Sequence, residues 1–137
     1  KMVNVVSNST VPKISLIIGG SYGAGNYAMS GKAYNPNFIF AWPNAKIAVM
    51  GGDQAAETLT NIKLSKVGNV SEGEKEKIQK KIKLNYDKQS DIKYGAARMW
   101  IDEIINPKDT RAILIRSLDI LKFGDKIKKP NYGVLQV

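Results

Sequence analysis

Short apolar runs, each bounded by glycine, proline or asparagine, alternate with helical patterns along this chain. Residues 14–18 (ISLII) form an apolar, β-branched run that predicts a buried strand. Residues 38–42 (FIFAW) and 46–50 (KIAVM) predict two further strands, separated by a turn at Pro43 and Asn44. The alternation of strands, turns and helices predicts an α/β structure of packed layers, with its functional turns after the strands.

The helical patterns differ in character. Residues 26–33 predict a short helix with small side chains, and Asp53 is the expected N-cap of a second helix. The character of the chain changes over residues 63–93, where residues 71–84 are mostly charged. Ser71 and Glu74 fit a capping box at the start of a solvated helix. This charged segment is the least informative part of the chain.

Both ends of the chain carry expectations of their own. The start (KMVNVV) has no signal-peptide layout and indicates a cut made inside a longer chain. After a break at Pro107, a final helix is expected over residues 111–121, capped by Asp109 or Thr110, and residues 126–137 are expected to be extended. No apolar run approaches the ~20 residues of a membrane span.

The glycine-rich turn over residues 19–25 (GGSYGAG) is the most informative feature. It follows the first strand and opens the first helix, where backbone N–H groups lack helical partners and attract negative charge. Phosphate binding, dinucleotide binding and the stabilisation of an oxyanion all use this device. The structural alternative is a tight turn whose glycines permit close packing. So many small residues in one loop instead favour a substrate that approaches bare backbone.

Two nucleotide-binding patterns are only partly met. Residues 23–28 (GAGNYA) resemble the dinucleotide fingerprint, but the acidic residue expected about 20 positions later is missing, because the first acid is Asp53. Residues 25–32 approach a phosphate loop, but the spacer is one residue too long and Ala33 cannot ligate magnesium. Dinucleotide binding and phosphate-loop nucleotide binding are therefore both disfavoured.

Composition narrows the chemistry further. The chain of 137 residues suits one domain, and it contains no histidine and no cysteine. Ser–His and Cys–His nucleophile pairs and histidine- or cysteine-based zinc sites are therefore excluded within this chain. Any chemistry must use backbone groups, carboxylates, lysines, tyrosines or a borrowed cofactor.

The net charge of +9 favours solvated, lysine-rich faces. A basic surface for anionic substrates such as nucleotides or coenzyme A is the alternative. Nucleic-acid binding is disfavoured because no lysine run is interleaved with aromatic residues.

Several blocks together resemble one family. The carboxyltransferase (β) subunits of the biotin-dependent acyl-CoA carboxylases are similar to residues 19–29 (GGSYGAGNYAM), 33–36 (AYNP), 42–45 (WPNA) and 49–56 (VMGGDQAA). Residues 96–111 (AARMWIDEIINPKDTR) resemble the methylcrotonyl-CoA carboxylase β branch. The likeness covers most of residues 11–64 and 94–137, whereas the charged segment between them matches poorly.

The resemblance implies a crotonase-like (ClpP/crotonase) fold built from ββα units. Residues 1–137 are expected to be the C-terminal part of the second carboxyltransferase domain, without the first domain. Such a piece forms one wall of a site between subunits and is expected to be inactive alone. Methylcrotonyl-CoA is the favoured acyl-CoA substrate, with geranyl-CoA and propionyl-CoA left open.

The resemblance also implies partners and a location. Biotin is expected on a carrier belonging to a biotin carboxylase (α) subunit, no metal is expected in this chain, and other β subunits are expected to form an oligomeric core. Neither nucleic acid nor a membrane is an expected partner. The location is cytoplasmic in a bacterium and the mitochondrial matrix in a eukaryote.

The site residues follow from the matching turn. The family holds the ureido oxygen of decarboxylated biotin with two backbone amides, and these map onto Ala24 and Gly25. Gly23, Tyr22 and Tyr27 are the expected biotin contacts, although packing is the favoured alternative for the two tyrosines. This mapping agrees with a chain that lacks side-chain nucleophiles.

Two other function classes stay open. A crotonase-family hydratase or isomerase also uses paired amides, but it normally adds a carboxylate near the turn, and none lies close in the sequence. A non-catalytic interaction module is the other alternative.

Several further residues carry structural expectations. Asp102 and Glu103 are expected to be a solvated pair, with an acid–base couple as the alternative. Arg98 and Arg111 are their favoured ion-pair partners, with contacts to the coenzyme A phosphates of a neighbouring subunit as the alternative. Large apolar side chains are more numerous than a partial domain can bury, which predicts exposed apolar patches. Examples of these side chains are Phe38, Phe40 and Trp42.

Overall fold

Short strands form two small parallel sheets in the computed structural model, which describes residues 1–67 and 71–122. One sheet has three strands in the order β1-β3-β5, and the other pairs β2 with β4. The strands are β1 (Ile14–Ile17), β2 (Gly20–Tyr22), β3 (Phe38–Ala41), β4 (Lys46–Ala48) and β5 (Glu103–Ile104).

Helices follow the strands and cover the sheets. Two short 3₁₀ turns, over Lys32–Tyr34 and Pro107–Asp109, connect them to the rest of the chain. The helices are α1 (Met2–Asn8), α2 (Gly23–Ala28), α3 (Gly52–Val67), α4 (Glu72–Ser90), α5 (Ile92–Ala96) and α6 (Thr110–Lys122). No helix in the described ranges is long and apolar enough to cross a membrane.

The chain repeats one ββα unit. β1, β2 and α2 form the first unit, and β3, β4 and α3 form the second. The first strands of the two units pair in parallel, with Ile14 opposite Phe38, and the second strands pair in the other sheet, with Gly20 opposite Lys46. Because β2 and β4 run in the same direction, α2 and α3 both begin at the same edge of the smaller sheet. The predicted α/β class and its ββα units are confirmed.

The core lies around the central strand β3. Ala41 is fully buried and Ile39 nearly so, because β1 and β5 flank this strand on both sides. Asp102 and Glu103 are exposed as predicted, but the Asp102 carboxylate also accepts a hydrogen bond of 2.7 Å from the Ile39 amide. This contact fastens the chain before β5 to the core. The buried cluster consists of Ile39, Ala41, Ala45, Ile92 and Ile101.

The first ββα unit differs in detail from its prediction. The strand ends at Ile17 and is half-buried, while Ile18 is exposed. Residues 20–22, which looked like a loop because they are short and glycine-led, form β2. The helix therefore begins at Gly23 and not at Asn26, and it ends at Ala28 because Ser30 adopts a left-handed backbone with φ of 61°. The predicted helix over residues 26–33 was wrong at both ends.

The charged segment forms a helical hairpin with the helix before it. α3 and α4 pack along each other. The predicted capping box is confirmed, with Ser71 as the N-cap of α4 and Glu74 completing it. Asp53 lies within the first turn of α3, not at its N-cap. α4 is solvated as expected, because Ser90 is its one fully buried residue among those described.

The prediction of exposed apolar surface was right, but the residues named for it were wrong. Phe40 is only 5% exposed and stacks on Phe38 at 5.7 Å between ring centroids. Trp42 donates a hydrogen bond of 3.0 Å from Nε1 to Thr110 Oγ1. The exposed apolar side chains lie elsewhere, and three belong to α6: Ile115, Leu118 and Ile120.

The final helix agrees with its prediction to within one residue at each end, since α6 spans Thr110–Lys122. Asn106 caps the preceding 3₁₀ turn by accepting a hydrogen bond from the Lys108 amide. The tail predicted to be extended, residues 126–137, lies outside the described residues.

Replacement of Ile92 by alanine is expected to destabilise the fold strongly. Ile92 is fully buried in the core cluster, so truncation loses apolar burial and leaves a cavity. The expected loss is about 2–5 kcal/mol in the free energy of unfolding, measured by urea denaturation.

The matched control is Ile62→Ala, because Ile62 is half-exposed on α3. Its expected cost is about 1 kcal/mol or less. Equal losses for the two variants would show that Ile92 does not lie in the core of the folded protein.

Candidate active site at the glycine turn

The start of α2 is the feature on which the candidate site rests. Gly23, Ala24 and Gly25 are its first residues, and the amides of a first helical turn have no acceptor within the helix. The N-cap residue is Tyr22, which has extended backbone angles and makes no side-chain capping hydrogen bond. The helix start is therefore uncapped and presents the positive end of its dipole.

Gly23 is a glycine because the fold requires one. Its φ of +50° lies in the left-handed region, and a Cβ there would come within 2.9 Å of the Val49 carbonyl oxygen. Both effects exclude a larger residue. The close approach presses the start of α2 against the chain that leaves β4.

Gly25 is a glycine for a different reason. Its φ is not left-handed, and a Cβ added to it would meet nothing within 4 Å. The adjacent Ala24 is exposed. The backbone of these two residues therefore borders open space, which is the surface expected where a ligand approaches the main chain.

Asn26 braces the turn from within. Its Nδ2 donates a hydrogen bond of 2.8 Å to Ser21 Oγ, which ties α2 back to β2. Its carbonyl oxygen accepts 2.9 Å from the Gly31 amide, and its side chain packs against the Gly31 backbone. Sequence reasoning missed this residue. The available signal was an amide side chain among glycines and alanines, five positions after a serine.

Two clefts border α2 on different sides. One has a volume of about 640 Å³ and includes Tyr22 and Gly25 in its wall, and the other, of about 340 Å³, includes Gly23 and Tyr27. The structure therefore does not bring the two predicted tyrosines into one cleft. Ala24 lines neither of these clefts.

Three residues connect the two clefts because each lines both of them: Asn26, Ile47 and Trp100. Among residues 1–67 and 71–122, no aspartate or glutamate lines either cleft. The chemistry available there is that of backbone amides, hydroxyl groups and aromatic rings, together with the side-chain amides of Asn26 and Gln89 and the ammonium group of Lys32.

Both tyrosines have packing contacts within the chain. The ring of Tyr22 covers Gly20, where an added Cβ would lie 2.5 Å from Cε2. Tyr27 packs edge-to-face on Tyr34, with 6.1 Å between ring centroids. Tyr22 and Tyr27 are nevertheless 37% and 46% exposed, so part of each side chain is free to contact a ligand.

A second glycine turn, formed by Gly51 and Gly52 after β4, lies beside the first and is held by α4. The Met50 amide donates to the Tyr86 hydroxyl at 3.0 Å, and this hydroxyl donates to the Met50 carbonyl at 3.0 Å. Lys83 forms an ion pair with Asp53. The hydrogen bond that Lys83 donates to this carboxylate, followed by the negative charge of the carboxylate, raises the pKa of Lys83 above its usual value. Asp53 therefore makes a structural contact between α3 and α4, and its position at the start of a helix also favoured a structural role.

The predicted partners of Asp102 and Glu103 were wrong. Within residues 1–67 and 71–122, neither Arg98 nor Arg111 forms an ion pair. Arg98 instead stacks over the Tyr94 ring, with its guanidinium carbon 3.3 Å from the ring centroid. The same part of the chain contains no group of three potential metal-ligating side chains.

Repeated ββα units with a glycine-rich helix start define a crotonase-like protein. The family model described as the carboxyl transferase domain matches residues 1–132. The chain is 43% identical over its whole length to the biotin-dependent 3-methylcrotonyl-coenzyme A carboxylase beta1 subunit of Mycobacterium tuberculosis. The chain belongs to the carboxyl transferase domain family.

Solved structures agree with this assignment. The β subunit of geranyl-CoA carboxylase from P. aeruginosa matches 98% of the chain with a TM-score of 0.81 and 40% identity. The transcarboxylase 12S structure, whose title describes a hexamer assembly, matches 95% with a TM-score of 0.77 and 26% identity. The predicted crotonase-like fold is confirmed.

The chain spans about a quarter of the length of these relatives. It covers 26% of the Mycobacterium tuberculosis subunit, 26% of the geranyl-CoA carboxylase subunit and 24% of the 12S chain.

The two glycines of the helix start are expected to respond oppositely to alanine. Gly23→Ala is expected to lower the free energy of unfolding by about 2 kcal/mol or more, since the left-handed backbone alone costs about 1–2 kcal/mol. Gly25→Ala is expected to raise it by about 0.5–1 kcal/mol, because alanine favours the helix and its Cβ meets no neighbour.

Thermal unfolding of the two single variants beside the parent protein measures both effects. A destabilised Gly25→Ala protein would contradict the open surroundings of Gly25. An unaffected Gly23→Ala protein would contradict the close approach to Val49.

Proposed function

We propose that this chain supplies the biotin-facing wall of the carboxyltransferase site in a biotin-dependent acyl-CoA carboxylase. The observation that carries the proposal is the uncapped start of α2, with open space at Gly25, in a member of the carboxyl transferase family. In this role the chain receives an anion on its backbone and needs no side-chain nucleophile.

The residues present fit biotin. A bicyclic ureido ring needs donors for its oxygen and a surface free of side chains beside them. The amides of Ala24 and Gly25 are uncapped, and Gly25 leaves the adjoining space empty. Biotin, when bound, supplies the carboxyl group that is transferred to the acyl-CoA.

The amides of Ala24 and Gly25 hold the negative charge that develops on the ureido oxygen. They belong to a turn already fixed by Asn26, so they need little reorganisation when the charge appears. The positive end of the α2 dipole adds to their effect. Loss of one such donor typically costs about 3–4 kcal/mol of transition-state stabilisation.

Gly23 and Tyr27 provide the remaining contacts on one side, since both line the smaller cleft. Tyr22 contributes from the wall of the larger cleft. The exposed part of each tyrosine ring is available to the biotin rings, while the rest of the side chain keeps its packing contact.

A hydratase or isomerase role has less support. Such enzymes combine paired amides with an acid or base placed within hydrogen-bond reach of the substrate. In the described part of the chain no carboxylate lines either cleft beside α2, and the full sequence has no histidine. The lining therefore supports transfer of a carboxyl group supplied from elsewhere.

The proposal extends to the whole protein. We place residues 1–137 in the C-terminal part of the second carboxyltransferase domain, with acyl-CoA bound largely by the first domain of another β subunit. Methylcrotonyl-CoA is the proposed substrate, because the Mycobacterium tuberculosis relative is named for it. An α subunit carrying biotin is the proposed partner, in the bacterial cytoplasm or the mitochondrial matrix.

The complete β subunit is expected to be oligomeric. Ile115, Leu118 and Ile120 on α6 are each half-exposed, and such apolar faces commonly mark interfaces. Sedimentation velocity at micromolar concentration is expected to show a multimer. A stable monomer at that concentration would contradict the proposed core of β subunits.

Ala24→Pro in the complete carboxylase is expected to lower kcat at least ~100-fold, because proline removes one oxyanion donor. Proline is tolerated in a first helical turn, where the lost N–H has no helical partner. The kcat of both enzymes is measured with methylcrotonyl-CoA, geranyl-CoA and propionyl-CoA. The comparison gives the loss caused by the substitution and identifies the preferred substrate.

Ala24→Ser is the matched control, since it keeps the amide and adds only a hydroxyl on an exposed position. Its kcat is expected to stay within a few-fold of the parent value. An assembled Ala24→Pro enzyme that binds acyl-CoA and turns over at the normal rate would show that the turn is only structural.

A further inference from the structure

We propose that Tyr86 is a positioning residue for the oxyanion amides, acting from α4 through the second glycine turn. The inference rests on the proposed function and deepens it, because it identifies what holds the bare backbone of Ala24 and Gly25 in place. Tyr86 is 36 residues from its hydrogen-bond partner Met50 in the sequence.

The Tyr86 hydroxyl makes a closed pair of hydrogen bonds with one residue. It accepts from the Met50 amide at 3.0 Å and donates to the Met50 carbonyl at 3.0 Å. Both main-chain groups of Met50 are thereby satisfied by a single side-chain oxygen. Removal of that oxygen leaves a donor and an acceptor without partners, so the segment is free to shift toward water or other groups.

The held segment lies directly against the oxyanion turn. Val49 precedes Met50, and its carbonyl oxygen lies against Gly23, 2.9 Å from the position of an added Cβ. One residue earlier, Ala48 pairs with Tyr22 in the β2–β4 ladder. A displacement of Met50 is therefore transmitted through the Val49 carbonyl to Gly23, the residue before the Ala24 amide.

Tyr86 acts within a row of α4 side chains that face this turn. Lys83, Tyr86 and Asp87 are spaced as i, i+3 and i+4, which places them on one face of the helix. Lys83 pairs with Asp53, and Asp87 lies so close to Gly52 that an added Cβ would be 2.6 Å from Oδ1. Tyr86 is the member of this row that holds the backbone nearest Gly23.

The mechanism requires accurate placement of these amides. An oxyanion donor works only near its optimal distance, and a displacement of about 1 Å can cost ~100-fold in rate. The Tyr86 ring stays in place when only its oxygen is removed. A partial displacement then lowers the rate without unfolding the site.

The test compares Tyr86→Phe with Tyr34→Phe in the complete carboxylase. The Tyr34 hydroxyl has no hydrogen-bond partner in the described part of the chain, so its loss is the matched removal of one oxygen. Tyr86→Phe is expected to lower kcat about 10-fold per acyl-CoA site counted by titration, with the KM for acyl-CoA within two-fold of the parent. Tyr34→Phe is expected to keep the parent kcat.

A second readout does not depend on turnover. Hydrogen–deuterium exchange is expected to accelerate in peptides covering residues 20–31 and 49–53 of Tyr86→Phe, and not in those of Tyr34→Phe. Peptides covering β1 and β3 are expected to exchange as in the parent. Faster exchange everywhere would indicate general destabilisation and overturn the positioning role.

The outcomes separate this inference from the proposed function. If Ala24→Pro loses activity while Tyr86→Phe matches the parent in kcat or in exchange at residues 20–31, the positioning role is wrong and the oxyanion turn stands. If Ala24→Pro retains normal activity, the proposed function fails, and the role of Tyr86 fails with it.

Discussion

The parallel pairing of β2 with β4 is the constraint on which the rest of the site depends. It brings the ends of both strands to one edge of the smaller sheet, so that the turn opening α2 lies beside the turn opening α3. Only this juxtaposition presses the Val49 carbonyl against Gly23. The ββα repeat therefore also fixes the site, because the chain that leaves β4 packs against the glycine turn that opens α2.

Two glycines separated by one residue illustrate how fold and function divide the same turn. The fold requires glycine at position 23, because the left-handed backbone and the nearby Val49 carbonyl oxygen leave no space for a side chain. At Gly25 no neighbour in the described structure would clash with an added Cβ, and helix propensity alone would favour alanine there. A residue that is locally unfavourable without a packing reason is most readily explained by a ligand that must reach the backbone.

Sequence reasoning succeeded where the signal is local. The apolar runs of β1 and β3, the capping box of α4 and the start of α6 were all read from short patterns, and the structure confirms them. It failed at β2, whose glycine-led residues carry no strand signal, and consequently misplaced the start of α2. The bracing contact of Tyr86 with Met50 joins distant parts of the chain, so no local pattern contains it.

A site made from main-chain amides tolerates most side-chain changes but offers few side chains for substrate selection. Nearly any side chain facing outward leaves its donors intact, so selection acts on the contacts that set backbone direction, such as those of Asn26. The same turn offers few side chains to tell one acyl group from another. Relatives named for methylcrotonyl-CoA and geranyl-CoA share this fold, which fits a division in which this turn manages the charge of a common carboxyl donor and other parts of the protein choose the acceptor.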